Sequence, residues 1–268
     1  MPIPSPAAER HRLPPPLARA LACAGVLLAL AAAALLAGVR TGRAGADDTI
    51  ATLETTASAL ELRIVHLEDE DQIEKLIDTY GYYLDKQQWD QLTDLFAEDG
   101  TMEISLRGVY VGKPSIRRAL ELFGPQNIEP EHLHNHIQLQ PIITLSADGA
   151  HAWSRSRALS EIGTYGRTAI WGDGVYTNEY VKRDGVWRIA KDHIYTTFFA
   201  SYDKGWKDGV GPAPKASSKI PPDAPPTELY DSFPGEYVAP FHFPHPVTGA
   251  QIEIPPQLQV RPNPGARP

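Results

Sequence analysis

Cysteine is almost absent from this chain of 268 residues, and its scarcity excludes several kinds of chemistry. The single cysteine, Cys23, lies within an apolar segment near the N-terminus. The rest of the chain therefore has no disulfide, no cysteine nucleophile and no thiolate metal site. The sequence also lacks a glycine-rich phosphate loop, a Ser-His-Asp arrangement around a nucleophile elbow and a His-Glu-x-x-His zinc motif.

Basic residues are in short supply as well. The chain has 25 Lys and Arg against 33 Asp and Glu, which gives a formal net charge of -8. Residues 1–46 hold five Arg and one Glu, so the remainder is more acidic than the whole chain. Nucleic acid and anionic membrane surfaces repel an acidic protein, since both carry negative charge. We therefore expect no nucleic-acid partner.

The longest hydrophobic run, residues 21–39, predicts a targeting segment. Arginines precede it and the small residues Ala44-Gly45-Ala46 follow it, which is typical of an export signal cleaved after Ala46. An uncleaved signal anchor is the alternative, because the run is nearly long enough to span a bilayer. In both cases the body lies outside the cytoplasm, and we expect a periplasmic location. A membrane partner is expected only if the signal stays uncleaved.

Apolar spacing predicts helices in the first part of the remaining chain. A lead-in with roughly heptad spacing precedes a helix whose apolar stripe includes Ile73, Tyr80 and Leu84. Gly81 is unusual inside such a helix and suggests that another backbone approaches closely there. The predicted helices cover residues 47–68, 69–85, 88–97 and 114–123.

Strands dominate the part that follows. The predicted strands cover residues 101–106, 109–111, 132–145, 149–162, 168–183 and 186–198. Turns at 146–149 and 183–185 are hairpin signals, so the long strands are antiparallel. Helices followed by antiparallel strands predict an α+β domain over residues 69–200, in which three N-terminal helices cover a curved antiparallel sheet. The helices close this sheet into a cone with an interior pocket.

Proline is concentrated in the last quarter of the chain. Residues 201–268 hold 15 of the 25 prolines, interleaved with aromatic residues such as Tyr230, Phe233 and Tyr237. A purely disordered tail would be poor in aromatics. We therefore expect an extended arm that docks on its own domain or on a neighbouring subunit.

Several motifs together carry a family resemblance. They are Asp71-x-Ile73-x-x-Leu76-x-x-x-Tyr80, Leu95-Phe96-Ala97-Glu98-Asp99, His136-x-Gln138-x-Gln140-Pro141, Gly174-Val175-Tyr176-x-Asn178-x-Tyr180 and Asp184-Gly185-x-Trp187-x-Ile189. On these motifs, residues 65–200 resemble the SnoaL-like branch of the nuclear transport factor 2 (NTF2)-like superfamily. The resemblance implies the cone fold of that superfamily, which hosts dehydratases, isomerases, cyclases and pure binding proteins.

The resemblance also implies catalytic residues. Bile-acid dehydratases and scytalone dehydratase use a Tyr and an Asp from the first helix and a His from the sheet, which match Tyr80, Asp85 and His136. The bile-acid dehydratases carry a further Asp on the next strand, where this chain has Ala158. With its export signal and proline-rich tail, the chain also resembles the lyases of lignin-degrading bacteria that release formaldehyde from diaryl diols and phenylcoumarans without a cofactor.

Tyr, Asp and His around one apolar cavity form a general acid/base site that needs neither metal nor cofactor. Tyr80 and Asp85 lie about 140° apart around a helix, so they converge only if the helix ends near Leu84. His134 and His136 share a strand face with a third histidine, but adjacent same-face positions are about 7 Å apart, too far for three to bind one zinc ion. We expect no metal and no cofactor.

Other polar and aromatic residues are expected to line the pocket. A stripe of Tyr and Asn on an otherwise buried strand is costly unless it meets ligand or water, although an exposed sheet face is the alternative. The end of the last strand, with His193 and Tyr195, is where pocket mouths lie. The predicted substrate-binding residues are His134, Tyr83, Trp153, Tyr176, Asn178 and Tyr180.

The sequence favours a cofactor-independent lyase that eliminates water or formaldehyde from a hydroxylated hydrophobic small molecule. A lignin-derived aromatic dimer or a steroid-like compound is the expected substrate. Asp85 would orient His136, and Tyr80 would donate a hydrogen bond to the developing oxyanion. A non-catalytic small-molecule-binding protein and an isomerase or cyclase are the alternatives. We expect a homo-oligomer, a dimer or a trimer.

Overall fold

The computed structural model describes the backbone of residues 43–266, with side chains from residue 49 onward. The predicted targeting run, residues 21–39, lies outside the described residues. Among the described residues, no helix combines the length and the apolar character needed to cross a membrane. The chain divides into two compact units at the boundary between Glu61 and Leu62, and the fold and site below belong to the second unit.

The second unit is built from helices followed by long strands. The helices are α1 (Arg43–Asp85), of which the second unit contains the part from Leu62 onward, α2 (Trp89–Asp94), α3 (Lys113–Leu120) and α4 (Gly205–Asp208). The strands are β1 (Phe96–Ile104), β2 (Val109–Val111), β3 (His132–Leu145), β4 (His151–Thr164), β5 (Thr168–Arg183), β6 (Val186–Ser201), β7 (Glu228–Leu229) and β8 (Arg261–Pro262). Six strands form one curved sheet in the order β2-β1-β6-β5-β4-β3, and β7 pairs with β8. The predicted α+β fold with three preceding helices is confirmed, and the sheet is not closed.

Two details of the helices and strands differ from the sequence prediction. The lead-in and the first helix form one continuous helix, α1. The second helix ends at Asp94, and Phe96 already begins β1, where it pairs in parallel with Ile189 of β6. Apolar residues at 92, 95 and 96 suit a helix or a strand, so the pairing with β6 decides the outcome. The sheet is therefore antiparallel except at this pair.

Helix α1 covers one face of the sheet, which we call the inner face. Ile73, Ile77, Tyr80 and Leu84 are almost fully buried in a core shared with Tyr176 of β5. A buried carboxylate fixes the helix to the sheet, since Asp69 accepts hydrogen bonds from Lys182 Nζ at 2.7 Å and Trp187 Nε1 at 2.9 Å.

Helix α1 also passes very close to the edge strand β3. A Cβ atom on Gly81 would lie 3.0 Å from the carbonyl oxygen of His136 and 3.2 Å from Cγ of Gln138. The absence of a side chain at Gly81 therefore permits the close approach that the sequence suggested. This contact places the end of α1 beside His136.

The proline-rich arm lies against its own domain, on the opposite, outer face of the sheet. It first follows the edge strand β2, where Val109 and Ala224 form an isolated bridge. It then crosses β6, where Tyr230 and Ala239 join a second apolar cluster with Tyr195. The carbonyl oxygen of Ala239 also accepts a hydrogen bond from Arg155 Nη1 at 2.8 Å.

Candidate active site

A chain of buried polar side chains runs across the inner face from β6 to β3. Tyr80 of α1 donates a hydrogen bond to Asp192 Oδ2 of β6 at 3.3 Å. Tyr80 packs edge to face on Tyr176 with ring centroids 5.9 Å apart, and the neighbouring Tyr176 contributes to the raised pKa of Tyr80. Tyr176 Oη then meets His136 Nε2 at 2.9 Å, and His136 Nδ1 meets Ser160 Oγ of β4 at 2.9 Å. Side chains from one helix and four strands thus lie in one connected row, in which the Tyr80–Tyr176 step is a ring contact and the other steps are hydrogen bonds.

Burial shapes the protonation of this chain. Burial, with the nearby charge of Asp192, raises the pKa of Tyr80 and of Tyr176 well above the usual 10.0, so both hydroxyls stay protonated. Burial raises the pKa of Asp192 to about 7 and lowers that of His136 to about 3. At neutral pH the imidazole is therefore uncharged, and Asp192 is the group that titrates.

The chain reaches a cavity at its β3 end. A space of about 260 Å³ lies between α1 and β3, and the half-buried residue His136 is one of those that line it. Its other lining residues are Asp78, Gly81, Tyr82, Asp85, Ile137 and Gln138. A drug-sized ligand usually occupies about 300–1,000 Å³, so this cavity fits only the reacting part of such a molecule. Tyr80 does not line it and contributes to the site from behind Tyr176.

A larger groove of about 820 Å³ lies at the tip of the β4–β5 hairpin. Its walls include the stacked rings of Trp171 and Tyr202, whose centroids are 6.2 Å apart, and the exposed Tyr165. It contains no residue of the buried polar chain. We place the candidate site at the smaller cavity, because a perturbed acid/base chain ends there.

Asp85 lies at the rim of the site but does not contact the His136 imidazole. Helix α1 ends at Asp85, as the predicted convergence required. Its carboxylate, however, accepts a hydrogen bond from the backbone N–H of His136, on the free side of edge strand β3. It therefore holds the strand edge and the cavity rim, and it orients His136 through the backbone.

The other predicted pocket residues occupy three kinds of position. Asn178 and Tyr180 are buried on the inner face, with Tyr180 Oη 2.9 Å from Ser154 Oγ. His134 is buried and stacks on Phe123 at 6.1 Å, and Tyr83 is half-buried against the core. The expectation that Trp153 lines the pocket is wrong. The inner face of β4 carries Ala152, Ser154, Ser156, Ala158 and Ser160, and the alternation of the strand puts Trp153 on the outer face.

Asp192 and Ser160 belong to the site although no sequence pattern indicated them. The family resemblance placed a second carboxylate on β4, where Ala158 is buried, but the buried carboxylate comes from β6. A bulge in β6 brings Asp192 to the inner face. Tyr180 pairs with Ile189, whereas the preceding residue, Glu179, pairs with Lys191, so β6 has one extra residue between the two pairs. The extra residue, Ala190, reverses the alternation, so Asp192 turns to the inner face.

The same bulge corrects the expectation for His193 and Tyr195. Both residues lie on the outer face beneath the arm, with ring centroids 4.0 Å apart, and not at the mouth of the pocket. An irregularity between paired strands is not visible in the spacing of one strand. A charged residue pair such as Lys191-Asp192 within a buried strand is the one sequence signal that could have drawn attention to Asp192.

Within residues 43–266, no group of three or more His, Cys, Asp or Glu side chains is arranged to hold a metal ion. The three histidines of β3 do not converge either, since His132 is exposed and only His134 and His136 turn toward the core. The Tyr, His, Ser and Asp side chains of the described site can form hydrogen bonds and transfer protons.

The curved, open sheet with helices on one face defines the class, an α+β protein with the NTF2-like fold. Residues 65–193 match the family model of the SnoaL-like domain, so the chain contains a SnoaL-like domain. No curated protein matches the chain.

Several solved structures resemble this chain. A candidate scytalone dehydratase from Novosphingobium aromaticivorans shares 22% identity, covers 58% of this chain and 97% of its own, and has a TM-score of 0.48. A type 3 LinA hexachlorocyclohexane dehydrochlorinase from Novosphingobium barchaimii shares 20% identity over 52% of this chain and 93% of its own, with a TM-score of 0.46. ActVI-ORFA from Streptomyces coelicolor shares 15% identity over 47% of this chain and 96% of its own, with a TM-score of 0.42.

Proposed function

We propose that this protein is a cofactor-independent lyase that eliminates water or formaldehyde from a hydroxylated hydrophobic small molecule. A lignin-derived aromatic dimer or a steroid-like compound is the proposed substrate class. The observation that carries the proposal is the row of polar side chains from Asp192 through Tyr80 and Tyr176 to His136, which ends at a cavity beside a carboxylate, Asp85.

In this mechanism the reacting end of the substrate enters the cavity between α1 and β3. His136, neutral at pH 7, removes or relays a proton from substrate carbon or hydroxyl, and Tyr176 keeps its ring in position through Nε2. Loss of water takes a C–H proton and a hydroxide from adjacent carbons. Loss of formaldehyde takes the O–H proton of a CH₂OH group, breaks the C–C bond to that carbon, and returns a proton to the carbon left behind, which has kept the electron pair of the broken bond. Asp85 contributes a negative charge and a hydrogen-bond acceptor at the rim.

Mass spectrometry of the full-length protein with a panel of lignin-type dimers and hydroxysteroids tests the proposal. We expect a product lighter by about 18 or 30 mass units, for water or formaldehyde. His136→Ala should lower turnover by about 10²–10⁴-fold while the circular dichroism spectrum is preserved. His132→Ala is the matched control, because His132 is exposed on the same strand and should leave turnover unchanged. Unchanged turnover in His136→Ala would remove His136 from the mechanism.

A non-catalytic binding protein is a second candidate that one observation favours. Both ring nitrogens of His136 already have hydrogen-bond partners, so the imidazole needs no ligand to be satisfied. The same panel separates the two functions. Recovery of every compound unchanged, with one of them bound, would favour the binding protein, and a product of unchanged mass would indicate an isomerase or cyclase.

Export and self-association belong to the same proposal. Residues 1–46 would direct the domain to the periplasm, where it would act as a dimer or trimer. Cell fractionation and sedimentation analysis test these two points, and a cytoplasmic monomer would contradict both.

A further inference from the structure

Asp192 lies at the end of the polar chain that is farther from the cavity. Folding alone does not explain why a carboxylate is buried at this position. Its side chain is 1% exposed, and Oδ1 makes no hydrogen bond of normal geometry among the described residues, although the neighbouring Asn178 amide and Tyr80 hydroxyl both lower the pKa of the carboxyl. Its hydrogen bond from Tyr80 and the contact of Tyr80 with Tyr176 connect it to His136.

A buried carboxylate with an unpaired oxygen is costly and calls for an explanation, which can be a catalytic role, strain or a bound water. Asp69 also has an unpaired oxygen, but its other oxygen is held by Lys182 and Trp187, whereas Asp192 faces only neutral donors.

We propose that Asp192 is a positioning residue that sets the tautomer of His136 through Tyr80 and Tyr176, with a hydrogen bond between the two tyrosine hydroxyls as part of the proposal. Each hydroxyl in such a chain has a single proton, so the direction of the first hydrogen bond fixes the direction of all the others. The neutral imidazole has a single N–H. Its proton lies on Nε2 when Nε2 must donate to Tyr176, and on Nδ1 when Nε2 must accept from Tyr176.

The two states of the chain follow from this rule. When Asp192 is ionised, Tyr80 donates to Asp192, Tyr176 donates to Tyr80, and His136 donates its Nε2–H to Tyr176. Nδ1 then accepts a hydrogen bond from Ser160. When Asp192 is protonated, every bond reverses, so that Tyr176 donates to Nε2 and the histidine proton lies on Nδ1, pointing to Ser160.

The change from one state to the other adds one proton to the chain and relays it from His136 to Asp192. A proton that arrives at Nδ1 displaces the Nε2 proton into Tyr176, Tyr176 passes its own to Tyr80, and Tyr80 passes its own to Asp192. The imidazole is neutral before and after, which suits a ring whose burial lowers its pKa to about 3. Asp192, whose pKa burial raises to about 7, holds the proton and can return it. The catalytic use of this storage rests on the proposed lyase function, whereas the switch itself does not.

Few other titratable groups face the two ends of the chain. Tyr80 from α1 and Tyr176 and Tyr180 from β5 face Asp192, and the neutral Met102 of β1 pairs with it. Its neighbours on β6 are paired elsewhere, Lys191 with Glu179 and His193 with Glu103. His134, Asp85 and Asp78 lie near His136.

Nitrogen-15 NMR of histidine-labelled full-length protein tests the proposal without any substrate. The ring nitrogens of His136, assigned with His136→Gln, report which nitrogen carries the proton. We expect His136 to stay neutral from pH 5.5 to 8.5 while its proton moves from Nδ1 to Nε2 as the pH rises through about 7. In Asp192→Asn the switch should be lost. In the control Asp173→Asn, whose carboxylate pairs with Arg157, it should persist.

Two results would overturn the proposal, namely a single tautomer across the whole range in the wild-type protein and an unchanged switch in Asp192→Asn. Because the first needs no variant, the test survives even if Asp192→Asn fails to fold. Failure of the proposed lyase function would appear separately, as absence of product with the switch intact.

Discussion

Both faces of the sheet carry clusters of histidine, tyrosine and carboxylate side chains around β5 and β6, but the two clusters differ in how their hydrogen bonds are satisfied. On the outer face, both oxygens of Glu103 accept hydrogen bonds from Thr227 at 2.7 Å, and Tyr195 donates to a carboxylate of the arm. On the inner face, one oxygen of Asp192 is unpaired, and the row of polar side chains that starts at Asp192 ends at a cavity. A buried polar cluster that its own chain satisfies is explained by folding, whereas an unsatisfied cluster that reaches a cavity calls for a function.

Among the changes that compare the two faces, the largest expected effect comes from removing one hydroxyl on the inner face. Tyr176→Phe keeps the ring against Tyr80, where the centroids are 5.9 Å apart, but cuts the link to His136. We expect turnover to fall by about 10²-fold, since the positioned acid/base chain is broken. Steady-state kinetics on the substrate found with the panel measures this loss.

The matched change on the outer face is Tyr195→Phe. It should leave turnover unchanged and lower the free energy of unfolding by about 1–3 kcal/mol, because the carboxylate of Glu228 loses its donor. Urea unfolding measures the second effect. Equal losses of turnover in the two variants would show that the two faces do not differ as we describe.

A smaller effect concerns the stability cost of Asp192. Burial raises its pKa from 3.8 to about 7, so the folded state is fully stabilised below pH 4 and loses that stability as the pH rises to about 7. The shift corresponds to roughly 4 kcal/mol at pH 8. We expect Asp192→Asn to recover about 1–3 kcal/mol of unfolding free energy at pH 8 and nothing at pH 4, because an amide does not ionise.

Urea midpoints at the two pH values check this prediction. A gain at pH 8 together with loss of turnover would mark Asp192 as a residue that costs stability and supports function. A loss of stability at pH 8, or the same change at both pH values, would mean that the ionised carboxylate is well accommodated and that the inner face resembles the outer one.

The pattern of the sequence predicts the fold well because the elements are long and their periods are clear. Strands 132–145 and 168–183 have the predicted bounds, and the stripe from Ile73 to Leu84 is buried as the helical spacing indicates. Of the site, Tyr80, His136 and Tyr176 are brought together as the sequence suggested. What spacing could not give is the face of a residue beyond a bulge. The extra residue Ala190 turns Asp192 inward and Tyr195 outward. This bulge arises only where β6 pairs with β5, so the sequence of β6 alone does not reveal it.

Gly81 offers the smallest and most specific test, because it separates the geometry of the inner site from its chemistry. In Gly81→Ala the new Cβ would lie 3.0 Å from the carbonyl oxygen of His136, so α1 and β3 must move apart by a few tenths of an ångström. Alanine favours the helix by about 1 kcal/mol, which offsets the crowding. We expect unchanged thermal stability but a roughly 3–10-fold lower turnover, since small misplacements of a catalytic group are costly.

Gly149→Ala is the control that sharpens this test. Gly149 sits at φ +65 in the β3–β4 turn, and a Cβ atom there would meet nothing within 4 Å, so alanine should lower stability and leave turnover unchanged. The two glycines would then show separate effects, one on turnover alone and one on stability alone. If Gly81→Ala leaves turnover unchanged, the spacing between α1 and β3 does not set the geometry of His136. That result would contradict the assignment of the neighbouring cavity as the active site.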